Sequence, residues 1–267
     1  MKKSIAIGVV GVAGKMGSAI ARNIAQSNNF TLTLATIAPN QPPQRTVSEL
    51  IGVPGFDFLP EFDLGKNLSK IDVLIDFTTP SATLNHAKLC VHHHKAMVIG
   101  TTGFSEAEKA ELSALSKQIP IVFAPNMSRG VNVCLKLIEQ LAKTLGAEAD
   151  IHISEAHHRH KKDAPSGTAL KMGEIIAQQL GQSLEDLAIY DGRETEAHQK
   201  KILFSVIREG DMVGEHTLQF TLPGESIEIK HSASNRDNFA QGALAAAQWV
   251  LDKTPGLYSM ADVLSLS

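Results

Sequence analysis

The sequence predicts an α/β chain in two domains: a doubly wound, mainly parallel sheet, and a second α+β domain with a mixed or antiparallel sheet. Two observations carry the prediction. Between residues 5 and 127, short apolar runs alternate with polar turns and helical patterns, as expected for parallel strands covered on both faces by crossover helices. From Lys201 to His231 the pattern changes to strands joined by turns at Glu209-Gly210-Asp211 and Pro223-Gly224, which reads as an antiparallel meander. The expected boundaries are 1–127 with 239–267 for the first domain and 128–238 for the second.

The 267 residues, 43% hydrophobic and 20% charged, suffice for two buried cores in a soluble protein. A net charge of -3 gives no general attraction to nucleic acid or to an anionic membrane. Cys90 and Cys134 both fall in apolar helical patterns, so reduced, buried thiols and a cytoplasmic location are expected. Met1-Lys2-Lys3 and the apolar run behind it imitate a secretory leader. Glycines interrupt that run and Lys15 closes it, so it reads as part of the folded chain. No stretch approaches the ~18 apolar residues of a membrane span.

Taken in order, Ile5 to Val10 is a buried parallel strand. Gly8, Gly11, Gly14 and Gly17 follow at intervals of three, and Met16, Ile20 and Ile24 mark one helical face. Phe30 to Ile37 alternates cleanly as a second strand. This strand–glycine turn–helix–strand unit is Rossmann-like, with glycines that admit a pyrophosphate at a helix N-terminus. Its spacing is G-x-x-G-x-x-G, and no acid follows the second strand, which ends Ile37-Ala38-Pro39-Asn40. The choice between NADH and NADPH therefore stays open.

Pro42-Pro43 to about Lys70 is irregular. Ile71 to Phe77 is a strand, followed by a helix that runs to His92-His93-His94, where polar residues suit a helix end. Ala96 to Ile99 is a strand running into Gly100-Thr101-Thr102, and Ser105 with Glu108 forms a capping box. Ile119 to Ala124 is a strand closing on Pro125-Asn126-Met127. A ligand of such a sheet sits beyond the strand C-termini, where these turns fall. Val131 to Leu145 reads as an amphipathic helix with Gly146 as its C-cap. Phe239 to Leu251 is a last helix whose small residues permit close packing on the first domain.

Asp150 to Glu155 alternates as a strand, and Ser166-Gly167-Thr168 opens a helix. Between them lies Glu155-Ala-His-His-Arg-His-Lys161, a histidine- and lysine-rich loop facing a helix N-terminus. Cations opposite such an end suit a small substrate with more than one carboxylate. No metal is expected, because no cysteine lies nearby and adjacent His157 and His158 aim poorly at one ion.

These segments together resemble the 4-hydroxy-tetrahydrodipicolinate reductase (dihydrodipicolinate reductase) family. The resemblance runs through Gly11 to Gly17, Asp76-Phe-Thr78, Val98 to Gly103, Ala124 to Met127, Gly130-Val-Asn132, Glu155 to Lys161, Asp163 to Thr168 and Gly214-Glu-His216. It implies hydride transfer from NADPH or NADH to a cyclic, conjugated imine dicarboxylate, by a homotetramer. Carried over by position, it implies cofactor contacts from Gly11, Val12, Ala13, Gly14, Lys15, Met16, Gly100, Thr101, Thr102, Ala124, Pro125, Asn126 and Met127. His157 is implied as proton donor or acceptor and Lys161 as proton donor, with His158, Gly167 and Thr168 binding substrate. The sequence does not rank His157 against Lys161. A dehydrogenase using a cysteine nucleophile would need an activated thiol, which Cys134, among apolar helix residues, does not suggest. A nucleotide-sensing regulator would have no use for a proton donor facing a dicarboxylate.

Overall fold

The computed structural model describes residues 4–38, 44–190 and 201–266. Met1-Lys2-Lys3 and the segment from Pro39 to Pro43, both read above from sequence, lie outside the described residues. The chain divides into two compact units, Met1–Arg129 with Arg236–Ser267, and Gly130–Asn235. The first unit begins with β1 (Ile5–Val9), α1 (Lys15–Ala25), β2 (Phe30–Ala35), α2 (Val47–Ile51), β3 (Val73–Asp76), α3 (Pro80–His92), β4 (Ala96–Ile99), α4 (Glu106–Leu115) and β5 (Pro120–Phe123). Then come α5 (Arg129–Leu145), β6 (Asp150–His157), α6 (Gly167–Gln179), α7 (Leu184–Leu187), β7 (Ala188–Ile189), β8 (Ile202–Arg208), β9 (Gly214–Leu222) and β10 (Glu225–Ala233). The chain finishes with α8 (Asp237–Val250), β11 (Gly256–Tyr258) and α9 (Met260–Val263).

The first sheet has the order β11-β5-β4-β3-β1-β2, and all of its strand pairs are parallel. β1 lies between β2 and β3, so the chain turns opposite ways from it, and the switch point falls between β1 and β3. Both faces are covered. Ile7, Val9, Ile75 and Val98 pack with Ile20 and Ile24 of α1 and with Ala243, Ala246 and Ala247 of α8. Leu74, Met97, Ile99 and Ile121 pack with Leu84 and Cys90 of α3 and Leu112 of α4. The small residues of α8 let the helix lie close. A Cβ on Gly242 would stand 1.8 Å from the Met127 carbonyl oxygen.

Local chemistry sets the ends of these elements. Ser105 and Glu108 form the expected capping box at α4. Pro80 opens α3, where its missing N–H costs nothing. The simple alternation expected of β2 is broken: the register shifts between Ile7 and Gly8 of β1, which pair with Leu32 and Leu34. Thr33 is bulged out, so Leu32 and Leu34 join opposite cores.

The second unit corrects the meander. Its sheet runs β10-β9-β6-β8-β7, so β6 lies between β8 and β9, parallel to the first and antiparallel to the second. Inward residues of β6 and β9, among them Ile151, Ile153, Leu218 and Phe220, pack against Ile138 of α5 and Met172 and Ile176 of α6. That arrangement gives a mixed sheet with helices on one face. Gly146 directly follows the last residue of α5, as expected of its C-cap. Its amide donates to Ala142 and continues the helical turn, and a Cβ there would meet the Ala142 carbonyl at 2.5 Å.

Candidate active site

Burial alternates along β6, and the inward register that begins with Ile151 and Ile153 ends with Glu155 and His157. Two polar side chains thus continue a core-facing row, and both are nearly buried, at 2% and 8% exposure. Neighbouring strands bring their partners. Register places His216 of β9 opposite Glu155 and Arg208 of β8 opposite His157. α6 packs on this face, and its N-cap Ser166 completes the group by accepting from Ala169 N through its hydroxyl.

Glu155 Oε1 accepts from Arg208 Nη2 at 2.7 Å and from Ser166 N at 3.0 Å. Its Oε2 lies against His157 Nδ1. The His157 and His216 rings meet edge to face at 5.0 Å, and His216 Nε2 shares a 2.9 Å hydrogen bond with Ser166 Oγ. Arg208 is anchored further by donating to the Asp163 carbonyl at 2.6 Å. A Cβ on Gly214 would stand 2.8 Å from His157 Nε2, so a side chain there would displace this imidazole.

The loop after β6 is pinned by its backbone. His158 N donates to Met212 O at 2.8 Å, Arg159 N to Gly210 O at 3.2 Å, and Lys161 N to His158 O at 3.1 Å. The Lys161 ammonium pairs with Asp163 at 2.7 Å, and Ala164-Pro165 is a cis peptide. Gly167 and Thr168 form the first turn of α6, at its positive end. A Cβ on Gly167 would meet nothing within 4 Å, so this end is open. His158 Nδ1 is buried and has no hydrogen-bond partner among the described residues, a polar atom suited to a ligand.

Electrostatics divides the cluster into charged and neutral members. Burial pushes the Glu155 carboxyl up, but the Arg208 hydrogen bond, the Ser166 amide and the neighbouring positive charges outweigh it, and the carboxyl lies below its ordinary value. Burial lowers His157, which Glu155 opposes and Lys161 and Arg208 reinforce. His216 is held down to about 4, chiefly by burial and then by His157. Near neutral pH the cluster is therefore a carboxylate, a guanidinium and two neutral imidazoles. Glu155, His157 and His216 also bring potential metal-ligating atoms within 4.8 Å of one another. Arg208 on the carboxylate and Ser166 on His216 already use two of those groups, and a guanidinium so close repels a cation.

In the first unit the expected cofactor turns leave one edge of the parallel sheet. Gly11 has φ +68°, a backbone conformation that favours glycine. Gly14 caps α1 without a side-chain hydrogen bond, and the first turn of α1 carries no acid. A Cβ on Gly17 would lie 2.3 Å from Gly11 O, so glycine there lets α1 press against the turn. These features fit a pyrophosphate at the start of α1. Ala13, Gly14, Lys15, Thr102 and Pro125 are exposed, Gly11, Met16 and Asn126 partly so, and Val12, Gly100, Thr101, Ala124 and Met127 buried. The buried residues can offer a ligand mainly their backbone. A network underpins two turns: Asp76, fully buried, accepts from Thr78 N at 2.9 Å and meets His86 Nδ1 at 2.8 Å. Thr101 Oγ1 in turn accepts from Thr78 N at 3.0 Å. At the end of β2, Ile37 is buried in the core and Ala38 is exposed, so only Ala38 of the two faces solvent.

Sequence reasoning assigned no roles to Glu155, Arg208 or His216. For two of them a signal was present, because Glu155 and His216 occupy inward positions in alternating strands. Cys134 is partly buried and burial lifts its thiol above the ordinary range, the reverse of an activated nucleophile.

Sequence comparison gives matching results. The pattern described as "Dihydrodipicolinate reductase, N-terminus" matches residues 5–127, and its "C-terminus" counterpart matches residues 130–264. A 4-hydroxy-tetrahydrodipicolinate reductase of Saccharophagus degradans is 45% identical over 263 residues, covering 97% of this chain and 98% of the relative. Among solved structures, the dipicolinate-bound dihydrodipicolinate reductase of Paenisporosarcina sp. TG-14 matches with a TM-score of 0.78 and 25% identity, covering 97% of this chain and 99% of the other. An amine dehydrogenase from Mycobacterium smegmatis shares the fold, with a TM-score of 0.68 and 12% identity over 97% of this chain and 96% of the other.

Proposed function

The chain belongs to the dihydrodipicolinate reductase family, and on that basis we infer that it is the NAD(P)H-dependent oxidoreductase that converts 4-hydroxy-tetrahydrodipicolinate to tetrahydrodipicolinate in the diaminopimelate–lysine pathway. The conversion releases water and adds one hydride and one proton to a cyclic imine dicarboxylate. NADPH or NADH supplies the hydride when bound. The first unit, through Gly11 to Met16, Gly100 to Thr102 and Ala124 to Met127, holds that cofactor. The second unit holds the dicarboxylate and handles the proton.

The observation that carries these roles is the convergence of His157, the Lys161 charge and the start of α6 at one end of β6. Hydride arriving at one carbon of the conjugated imine leaves an electron-rich enamine, and a neighbouring carbon takes a proton. Lys161 delivers that proton or fixes its donor, with His157 assisting. His158, Gly167 and Thr168 bind the carboxylates, supported by the buried Nδ1 of His158 and the positive end of α6.

No helix among the described residues is long and apolar enough to cross a membrane. The protein works in the cytoplasm as a homotetramer. Support for assembly comes from the sheet face turned away from α5 and α6, where Thr217 and Gln219 are half-buried and Ile207 is 51% exposed.

Dipicolinate, a planar dicarboxylate that cannot take the hydride in the same way, tests the substrate site. It should inhibit competitively against the imine and not against NADPH. Competition with NADPH alone would overturn the assignment of the dicarboxylate to the second unit.

A further inference from the structure

We propose that Glu155, held as a carboxylate by Arg208, is a positioning residue that fixes the proton of His157 on Nδ1 and leaves Nε2 as the working nitrogen. The proposal rests on the reading of His157 as a proton-handling residue.

Strand geometry brings the pair together, since Glu155 and His157 are two residues apart on β6 and project to one face. An ionised carboxylate only accepts hydrogen bonds. Glu155 Oε2 against His157 Nδ1 therefore selects the tautomer with hydrogen on Nδ1. The carboxylate stays ionised in spite of 2% exposure because Oε1 receives both the Arg208 guanidinium at 2.7 Å and the Ser166 amide at 3.0 Å. Arg208 cannot swing away cheaply, because it also donates to the carbonyls of Ile207 at 2.8 Å and Asp163 at 2.6 Å.

The ring is bounded on one side, where His216 packs edge-on at 5.0 Å. Gly214 lies near Nε2, and its lack of a Cβ, which would stand 2.8 Å away, leaves that nitrogen space. The titratable and charged groups facing His157 are Glu155 on its own strand, Arg208 from β8, His216 from β9 and Lys161 from the loop, with His231 of β10 beyond His216 and Asp163 paired to Lys161. Of these only Glu155 favours the imidazolium. Burial, Lys161 and Arg208 disfavour it. Glu155 thus has two effects on one ring: it orients the tautomer, and it opposes the lowering of the histidine's basicity by burial.

Glu155→Gln tests the idea, because glutamine keeps the size and an oxygen acceptor but removes the charge. The sign follows from the interaction removed: without the carboxylate, protonating His157 becomes harder. The limb of the kcat/KM–pH profile that belongs to His157 should move to lower pH by about one unit or more. kcat near neutral pH should fall roughly 10- to 100-fold, with the KM for NADPH unchanged. A limb that does not move overturns the proposal, and so does loss of NADPH binding in step with kcat. His157→Gln separates the two readings. If it keeps wild-type kcat, the histidine is not in the chemistry and both readings fall. If it loses kcat while the Glu155→Gln limb stays in place, only the positioning role falls. Should Glu155→Gln fail to fold, nitrogen NMR of labelled imidazoles in the wild-type protein decides. Hydrogen on Nδ1 of His157 is expected, and hydrogen on Nε2 alone would overturn the assignment.

Discussion

Replacing Lys161 with Ala should lower kcat by about 10²- to 10⁴-fold, the range a positioned proton donor contributes, while the dissociation constant for NADPH stays within about twofold. The structure gives the reason for this split. Lys161 lies on the loop of the second unit, and the groups it meets, His158 O and Asp163, are in the same loop. Asp163 is more than half exposed, and an ion pair that open to solvent adds little stability, so the variant should fold and melt like the wild type. Steady-state kinetics beside a fluorescence titration with NADPH makes the comparison. Equal losses in both would mean that the lysine supports the structure and does not serve the reaction.

Gly17→Ala should damage the other half of the function. A Cβ at position 17 meets Gly11 O at 2.3 Å and Val12 Cα at 2.9 Å, and both are backbone atoms of the turn. No flexible side chain can give way, so either α1 moves off or the turn opens, at about 1–3 kcal/mol. NADPH and NADH should both bind about 5- to 150-fold more weakly, because each 1.4 kcal/mol is tenfold in an equilibrium constant. A Gly17→Ala protein with wild-type melting temperature and cofactor affinity would show that the turn is not the tight cradle its geometry implies.

The parallel sheet was legible because each of its inner strands is a short, mainly apolar run. Val73–Asp76 and Ala96–Ile99 are buried throughout, and a strand covered on both faces needs that composition. β11, three residues long, leaves no such pattern and was missed. The bulge at Thr33 was also hidden, because Leu32 and Leu34 look alike in sequence whether they face one core or two. In the second unit the four longer strands were visible, but two-residue β7 and the strand order were not. Inserting β6 between β8 and β9 depends on long-range pairing, which local alternation does not encode. The same insertion assembles the candidate site. His157 and Lys161 could be picked out from the sequence as parts of one loop, although His157 is the last residue of β6, and the inward register of β6 already implied that Glu155 faces the core. That Arg208 and His216 arrive from strands on either side follows only from the register. The end of β2 shows a third limit: Ile37 and Ala38 are adjacent in sequence, yet only Ala38 is exposed.

The most direct test of the whole reading is turnover by the wild-type protein in a coupled assay that generates the cyclic imine in the presence of NADPH or NADH. The expected result is continuous oxidation of at least one reduced nicotinamide, one equivalent for each imine formed. Tight binding of both nicotinamides with no oxidation would contradict it and would make the chain a nucleotide-binding protein without this chemistry.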